Sequence, residues 1–189
     1  MRHKYETRGI VLSRTSVGEA NAFVTLLTPG LGIVRARAQG LRRPGAKLAA
    51  ALVTLAESDV VLVRGKEGWR VVGAVLEEAW FTKMDQSGSR RRAARVSGLL
   101  LRLVAGEEHN PELFPIIRGF FEALVLLPDT AHEAAEMLAA LRTLAALGLD
   151  AGEIPCNSSL FTAPLLVSVE DERIRYIARI NRGITASGL

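Results

Sequence analysis

Between residues 8 and 76 the apolar positions come in short runs broken by turn residues, whereas from residue 90 onward they recur every three or four positions. The first pattern predicts strands. Residues 8–14 and 22–28 are β-branched and apolar runs flanked by Val17-Gly18-Glu19-Ala20-Asn21 and Thr28-Pro29-Gly30-Leu31-Gly32, which read as turns. Over residues 33–39 the two faces separate, with Val34, Ala36 and Ala38 on one side and Arg35, Arg37 and Gln39 on the other, the signature of a half-buried strand. After a basic loop (Gly40-Leu41-Arg42-Arg43-Pro44-Gly45), residues 46–54 read as a short helix. Residues 58–64 and 69–76 read as two more strands joined at Gly65-Lys66-Glu67-Gly68. Five short strands in so few residues fit a small closed barrel, since closure removes exposed strand edges.

The second pattern predicts helices. Ala93, Val96, Leu99, Leu100, Leu103 and Val104 fall on one helical face with Arg92, Arg95 and Arg102 off it. Asn110-Pro111 suits the start of a helix carrying Leu113, Ile116, Ile117, Phe120, Phe121 and Leu124, ended by Pro128. Thr130 with Glu133 has the spacing of a capping box for a third helix through Met137, Leu138, Leu141 and Leu144, with Gly148 placed to terminate it. Residues 150–164 read as loop, residues 165–169 are a short unassigned apolar run, and residues 170–181 read as a last helix carrying Ile174, Ile177 and Ile180. The fold class is therefore α+β: an N-terminal five-stranded barrel of the oligonucleotide-binding type (OB-fold) over residues 1–80, followed by a small helical bundle over residues 81–189.

Charge divides the two halves unequally. Residues 1–80 carry a net charge of +5 and the remainder −1, so the basic excess lies with the strands. No acidic residue occurs between Glu19 and Glu57, while Arg35, Arg37, Arg42, Arg43 and Lys47 fall inside that interval. Cationic side chains on one strand face and the adjoining loop suit a repeating polyanion, because arginine grips phosphate through a bidentate fork. A second cluster, Arg90-Arg91-Arg92, opens the helical half, and Arg91 and Arg92 are read as continuing the same path. Tyr5, Phe23 and Trp69 are the stacking candidates of the first half, and a core role suits Phe23 and Trp69 better than base stacking, so charge should dominate binding over sequence reading.

The chemistry of catalysis and metal binding is thinly represented. His3, His109 and His132 are scattered, the latter two reading as exposed residues near helix starts. Glu57 and Asp59 share a strand face that reads as a solvated edge rather than a metal site, and Cys156 has no C-x-x-C partner. No enzyme and no cofactor is expected. Apolar runs fall short of the ~18–20 residues of a membrane span, the first residues lack a signal-like apolar stretch, and one cysteine suits a reducing compartment, so a cytoplasmic, nucleoid-associated location is expected.

Thr7-Arg8-Gly9-Ile10-Val11-Leu12, Gly18-Glu19-Ala20, Val24-Thr25-Leu26-Leu27-Thr28-Pro29, Gly32 and Ala38-Gln39-Gly40-Leu41-Arg42-Arg43-Pro44 together resemble the N-terminal pattern of the RecO family of bacterial recombination mediators. The likeness continues more weakly through Leu113-Phe114 and Leu144-Ala145-Ala146-Leu147-Gly148-Leu149. The resemblance implies an OB-fold and a helical domain, binding of single- and double-stranded DNA, annealing of complementary strands, and cooperation with RecR, single-stranded DNA-binding protein and the RecA recombinase. It places a basic loop at Arg42 and Arg43. Gln39 stands where a lysine is common, and the four-cysteine zinc module of many relatives is reduced to Cys156 followed by Asn157-Ser158-Ser159, implying a zinc-free, shortened C-terminal region.

The resulting expectation is a DNA repair and recombination mediator. An RNA-binding OB module in translation or RNA processing and a nucleic-acid-free adaptor are the alternatives. The apolar stripe of the second half is expected to dock a partner peptide through Leu113, Ile117 and Phe121, with Arg118 beside it meeting an acidic tail.

Overall fold

The computed structural model describes residues 3–41, 48–156 and 159–188. Two compact units emerge. One runs through Lys83 and takes in Ala105–Pro111; the other holds Met84–Val104 and the chain from Glu112 onward.

The first unit is a closed five-stranded barrel of strands β1 (Lys4–Val17), β2 (Asn21–Thr28), β3 (Gly32–Ala38), β4 (Ala56–Gly65) and β5 (Gly68–Ala79), ordered β1-β2-β3-β5-β4. This is the expected OB arrangement. Strand β1 is longer than its apolar run because it serves two neighbours, pairing with β4 through Lys4–Ile10 and with β2 through Ile10–Val17, its register shifting between Val11 and Ser13. Such an irregularity bends a strand, which lets one strand belong to both walls of a barrel. Closure is made by a short parallel pairing in which Ala36, Arg37 and Ala38 of β3 lie against Trp69, Arg70 and Val71 of β5.

The barrel interior holds Val11, Val24, Leu26, Val34, Ala36, Leu62 and Val71, with Leu52 packed among them. Leu52 arrives on turns rather than on the expected helix. Over the described part of residues 46–54 the backbone makes a single helix-like bond, Leu52 N–H to Leu48 C=O at 3.1 Å, and Leu55 N–H then donates to Val11 C=O at 2.8 Å. One turn is enough to bury Leu52, and a longer isolated helix would carry the cost of nucleation for little further burial.

Helix α1 (Trp80–Lys83) stays with the barrel. Trp80 donates its indole N–H to Glu57 Oε2 at 3.1 Å, and Arg8 lies 3.6 Å from the other oxygen. Glu57 is therefore buried, not part of a solvated edge, while Asp59 on the same strand is exposed. Residues 105–111 return to the barrel at Gly32, whose φ of +67° suits glycine and where a Cβ would collide with the Glu108 carbonyl. His109 Nδ1 lies 3.0 Å from Gly30 O, and Arg64 pairs with Glu107 at 2.6 Å.

The second unit contains α2 (Ser87–Leu103), α3 (Leu113–Leu126), α4 (His132–Ala146), α5 (Ala163–Asp171) and α6 (Arg173–Ala186). Helix α3 starts at Leu113 with Glu112 at its N-cap position, two residues later than Asn110-Pro111 suggested. The expected capping box is also absent: Asp129–Ala131 forms a 3-10 turn, and α4 follows without a side-chain cap. At the other end of α4, Gly148 has a φ of +70°, its N–H meets Ala145 C=O, and Leu149 N–H meets Leu144 C=O, a Schellman ending as the glycine foretold. His132 is buried rather than exposed. Its Nε2 lies 2.9 Å from the Leu127 carbonyl oxygen and its Nδ1 3.3 Å from Ser89 Oγ. Asp129 Oδ1 approaches the same Nδ1 at 3.3 Å, so serine and carboxylate share one ring nitrogen, unlike a hydrolytic triad, where they take opposite ones.

The C-terminal stretch departs most from its pattern. Residues 165–169 belong to α5, and α6 buries Tyr176, Arg179 and Gly183 while Ile174 and Ile177 are exposed. Arg179 pairs with Asp150 and donates to Glu153 C=O at 2.7 Å, which turns the polar face inward. Among the described residues, no helix is long and apolar enough to cross a membrane.

Candidate nucleic-acid interface

Strand β3 builds the basic face by simple alternation. Val34, Ala36 and Ala38 are buried in the barrel, so the intervening Arg35 and Arg37 must point outward. Arg35 is exposed and its guanidinium lies 4.4 Å from the centroid of the Phe23 ring, a cation–π contact that holds the side chain against the sheet. Arg37 is half-buried between Phe23 on β2 and Arg70 on β5, its register partners on either side. Two arginines side by side across a strand pair repel one another. Among the described residues no carboxylate forms an ion pair with Arg35, Arg37, Lys66 or Arg70.

The β4–β5 hairpin extends this face. Gly65 pairs with Gly68, leaving Lys66 and Glu67 at the tip, and Arg64 and Arg70 flank them. Phe23, Arg37, Arg64, Lys66, Trp69 and Arg70 line a cavity of about 840 Å³. Trp69 is buried, edge-on to Tyr5 with centroids 5.1 Å apart, as its core reading required; Arg64 lies 5.2 Å above its ring. The hairpin cations were missed from sequence because they reach Arg37 through the parallel β3–β5 pairing, which local alternation does not reveal. Arg42, Arg43 and Lys47 lie outside the described residues.

In the helical unit the arginines are differently occupied. Arg92 Nη1 donates to Glu136 Oε2 at 2.6 Å, and Arg95 grips the same carboxylate through Nε at 2.5 Å and Nη2 at 2.7 Å. The hydrogen bond to Glu136 is the main cause that raises the Arg95 pKa. Arg92 is thus drawn into an ion pair joining α2 to α4, which weakens its reading as a phosphate contact. Arg91 remains exposed, 3.5 Å from Ser87 Oγ.

The expected peptide groove is filled by the protein itself. Leu113, Ile117 and Phe121 are each no more than 1% exposed, so none of them presents a surface to a partner. Helix α3 is covered on a further side by residues 159–161: Phe161 packs 6.1 Å from Phe120, and Gly119 leaves room for the Ser159 carbonyl where a Cβ would collide. Arg118 is partly exposed, 3.7 Å from Glu122 one turn on. Its apolar neighbours are core, so the acidic-tail site is not formed as the stripe suggested. Among the described residues no group of three or more His, Cys, Asp or Glu is placed to hold a metal ion.

Residues 1–74 match the family described as Recombination protein O N terminal. Similar curated proteins include the DNA repair protein RecO of Dehalococcoides mccartyi, 30% identical over 122 residues that make up 65% of this chain and 48% of that protein. The DNA repair protein RecO of Bifidobacterium longum is 30% identical over 64% of this chain and 51% of its own length. That of Synechococcus elongatus is 33% identical over 62% of this chain and 44% of its own. The match spans about half the length of these relatives.

Proposed function

From the match of residues 1–74 to the Recombination protein O N-terminal family and the likeness to curated RecO proteins, we propose that this chain is a RecO-type protein that serves DNA repair and homologous recombination as a non-catalytic mediator whose barrel binds DNA by its backbone. The observation that carries this reading is the row of arginines on the barrel, Arg35, Arg37 and Arg70, which face outward without carboxylate partners among the described residues. Outward cations whose mutual repulsion is unrelieved within the protein are favourably placed for a polyanion. Arg42, Arg43 and Lys47 extend the row along the sequence, and Arg91 is a further contact on α2.

The mechanism is electrostatic. Neutralising two strands on one surface lowers their repulsion and lets complementary bases find one another, which supports annealing of single strands and loading of a recombinase onto coated strands. RecR-like protein, single-stranded DNA-binding protein and the RecA recombinase are the proposed partners, docking elsewhere than on the buried α3 stripe.

The test is a salt titration of DNA binding. Replacing both Arg35 and Arg37 by alanine should weaken binding uniformly across sequences and flatten the salt slope by about one unit for each phosphate no longer held. Unchanged affinity and slope in the double variant would remove the barrel face from the mechanism. A strand-annealing assay, with and without coating by single-stranded DNA-binding protein, checks the mediator role directly.

A further inference from the structure

Of the cations on and beside the basic face, Arg35, Arg37, Arg64, Lys66 and Arg70, only Arg64 is paired with a carboxylate among the described residues. Its partner is Glu107, with 2.6 Å between Arg64 Nη1 and Glu107 Oε2. The two lie 43 positions apart, so the acid is not a neighbour on the hairpin. It is delivered by residues 105–111, the segment that joins α2 to α3 and belongs to the barrel unit. This strap is seated at the β2–β3 turn. Its Glu108 carbonyl takes the space that a side chain at Gly32 would fill, and His109 Nδ1 lies 3.0 Å from Gly30 O. Two anchors directly after Glu107 limit where its carboxylate can go, so the pair loses less entropy than one between two free side chains.

The pair is nevertheless open to solvent, with side chains 58% and 39% exposed, and such pairs add little stability. Glu107 also meets Arg64 through a single nitrogen, whereas a phosphate can accept from both arms of a guanidinium fork. We infer that Glu107 is a built-in competitor for phosphate: its carboxylate occupies Arg64 in the free protein and yields it to the backbone of a bound nucleic acid, which holds the barrel's affinity below what its cations alone would give. The inference rests on the reading of the barrel as a DNA binder. Because the carboxylate and the phosphate exclude one another at Arg64, each weakens the hold of the other by the same factor. DNA held at the hairpin therefore loosens the Glu107 end of the strap.

The experiment measures affinity for a fluorescein-labelled oligothymidylate by anisotropy, across a salt series, in the parent, Glu107→Gln, Arg64→Gln and the double variant. Glu107→Gln should bind about three- to fivefold more tightly, a gain that an unfolded protein does not give. Arg64→Gln should bind more weakly and flatten the salt slope by about one unit, because a phosphate contact is lost. In the Arg64→Gln background the Glu107 change should move affinity by less than about 1.5-fold, since no cation is left there for the carboxylate to hold. An equal gain from Glu107→Gln in both backgrounds would mean general repulsion, and no gain would mean a purely structural pair; either overturns the proposal. If Arg35→Ala with Arg37→Ala still weakens binding in that case, the barrel reading stands without the competitor; if that variant also binds normally, both readings fail.

Discussion

Arginine serves opposite ends in the two units. On the barrel Arg35, Arg37 and Arg70 face outward without carboxylate partners among the described residues, whereas in the helical unit Arg92, Arg142 and Arg179 are drawn inward and bonded. The difference follows from secondary structure. A barrel strand with a small interior puts every second residue outside, so arginine at alternate positions is exposed by geometry. The helices pack against irregular segments whose backbone carbonyls need donors, and a long guanidinium can reach several of them at once.

The comparison is broken most sharply at Arg179. Its guanidinium and the Asp150 carboxylate are both largely buried, and Gly152 leaves space for the guanidinium where a Cβ would collide. Arg179→Ala should destabilise the helical unit by about 3–5 kcal/mol, because a buried carboxylate is left unpaired. The two units can be watched separately: both tryptophans, Trp69 and Trp80, lie in the barrel unit, while far-UV circular dichroism at helical wavelengths follows the second. A shifted tryptophan transition with an unmoved helical one would mean that Arg179 does not hold the helices.

Arg142 ranks next. It is 5% exposed, has no carboxylate partner among the described residues, and donates to Leu160 C=O at 2.9 Å and Cys156 C=O at 3.0 Å while lying 4.8 Å over Phe161. Burial lowers its pKa, so holding the charge there has a cost that the carbonyls offset. Arg142→Met keeps the aliphatic volume but leaves those carbonyls without their donor, and should cost about 2–3 kcal/mol in the helical transition, with DNA affinity unchanged. Equal stability would show that water replaces the guanidinium at no cost.

These buried arginines also explain where sequence reading stopped. The β3 alternation, the hairpin at Gly65-Lys66-Glu67-Gly68 and the Gly148 helix ending depend on neighbours a few positions apart, and each was legible. Helix α6 was not read correctly by counting apolar positions, because Ile174 and Ile177 face out while Tyr176 and Arg179 face in. What fixes that helix is Asp150, far away in sequence. The α3 stripe misled for a related reason: its wide apolar face is wide because α2, α4 and residues 159–161 all cover it, and none of that is visible within the helix itself. Of the candidate site, Arg35 and Arg37 were legible, but the hairpin cations depended on the β3–β5 register.

The smallest expected effect lies where the two uses of arginine meet, on α2. Arg91 and Arg92 are adjacent in sequence, yet Arg91 is exposed and Arg92 is paired with Glu136. Arg91→Ala should leave the helical transition within about 0.5 kcal/mol of the parent, as surface changes do, and lower the salt slope of DNA binding by about one unit if its charge meets a phosphate. Arg92→Ala should do the reverse, costing about 1 kcal/mol of helical stability as one of the two cations on Glu136 is removed, with the slope unmoved. The pair thus separates a cation available to solvent from one engaged in packing at neighbouring positions of a single helix turn. An Arg91→Ala variant with an unchanged slope would confine the DNA contacts to the barrel, because Arg92 and Arg95 beside it are already held by Glu136.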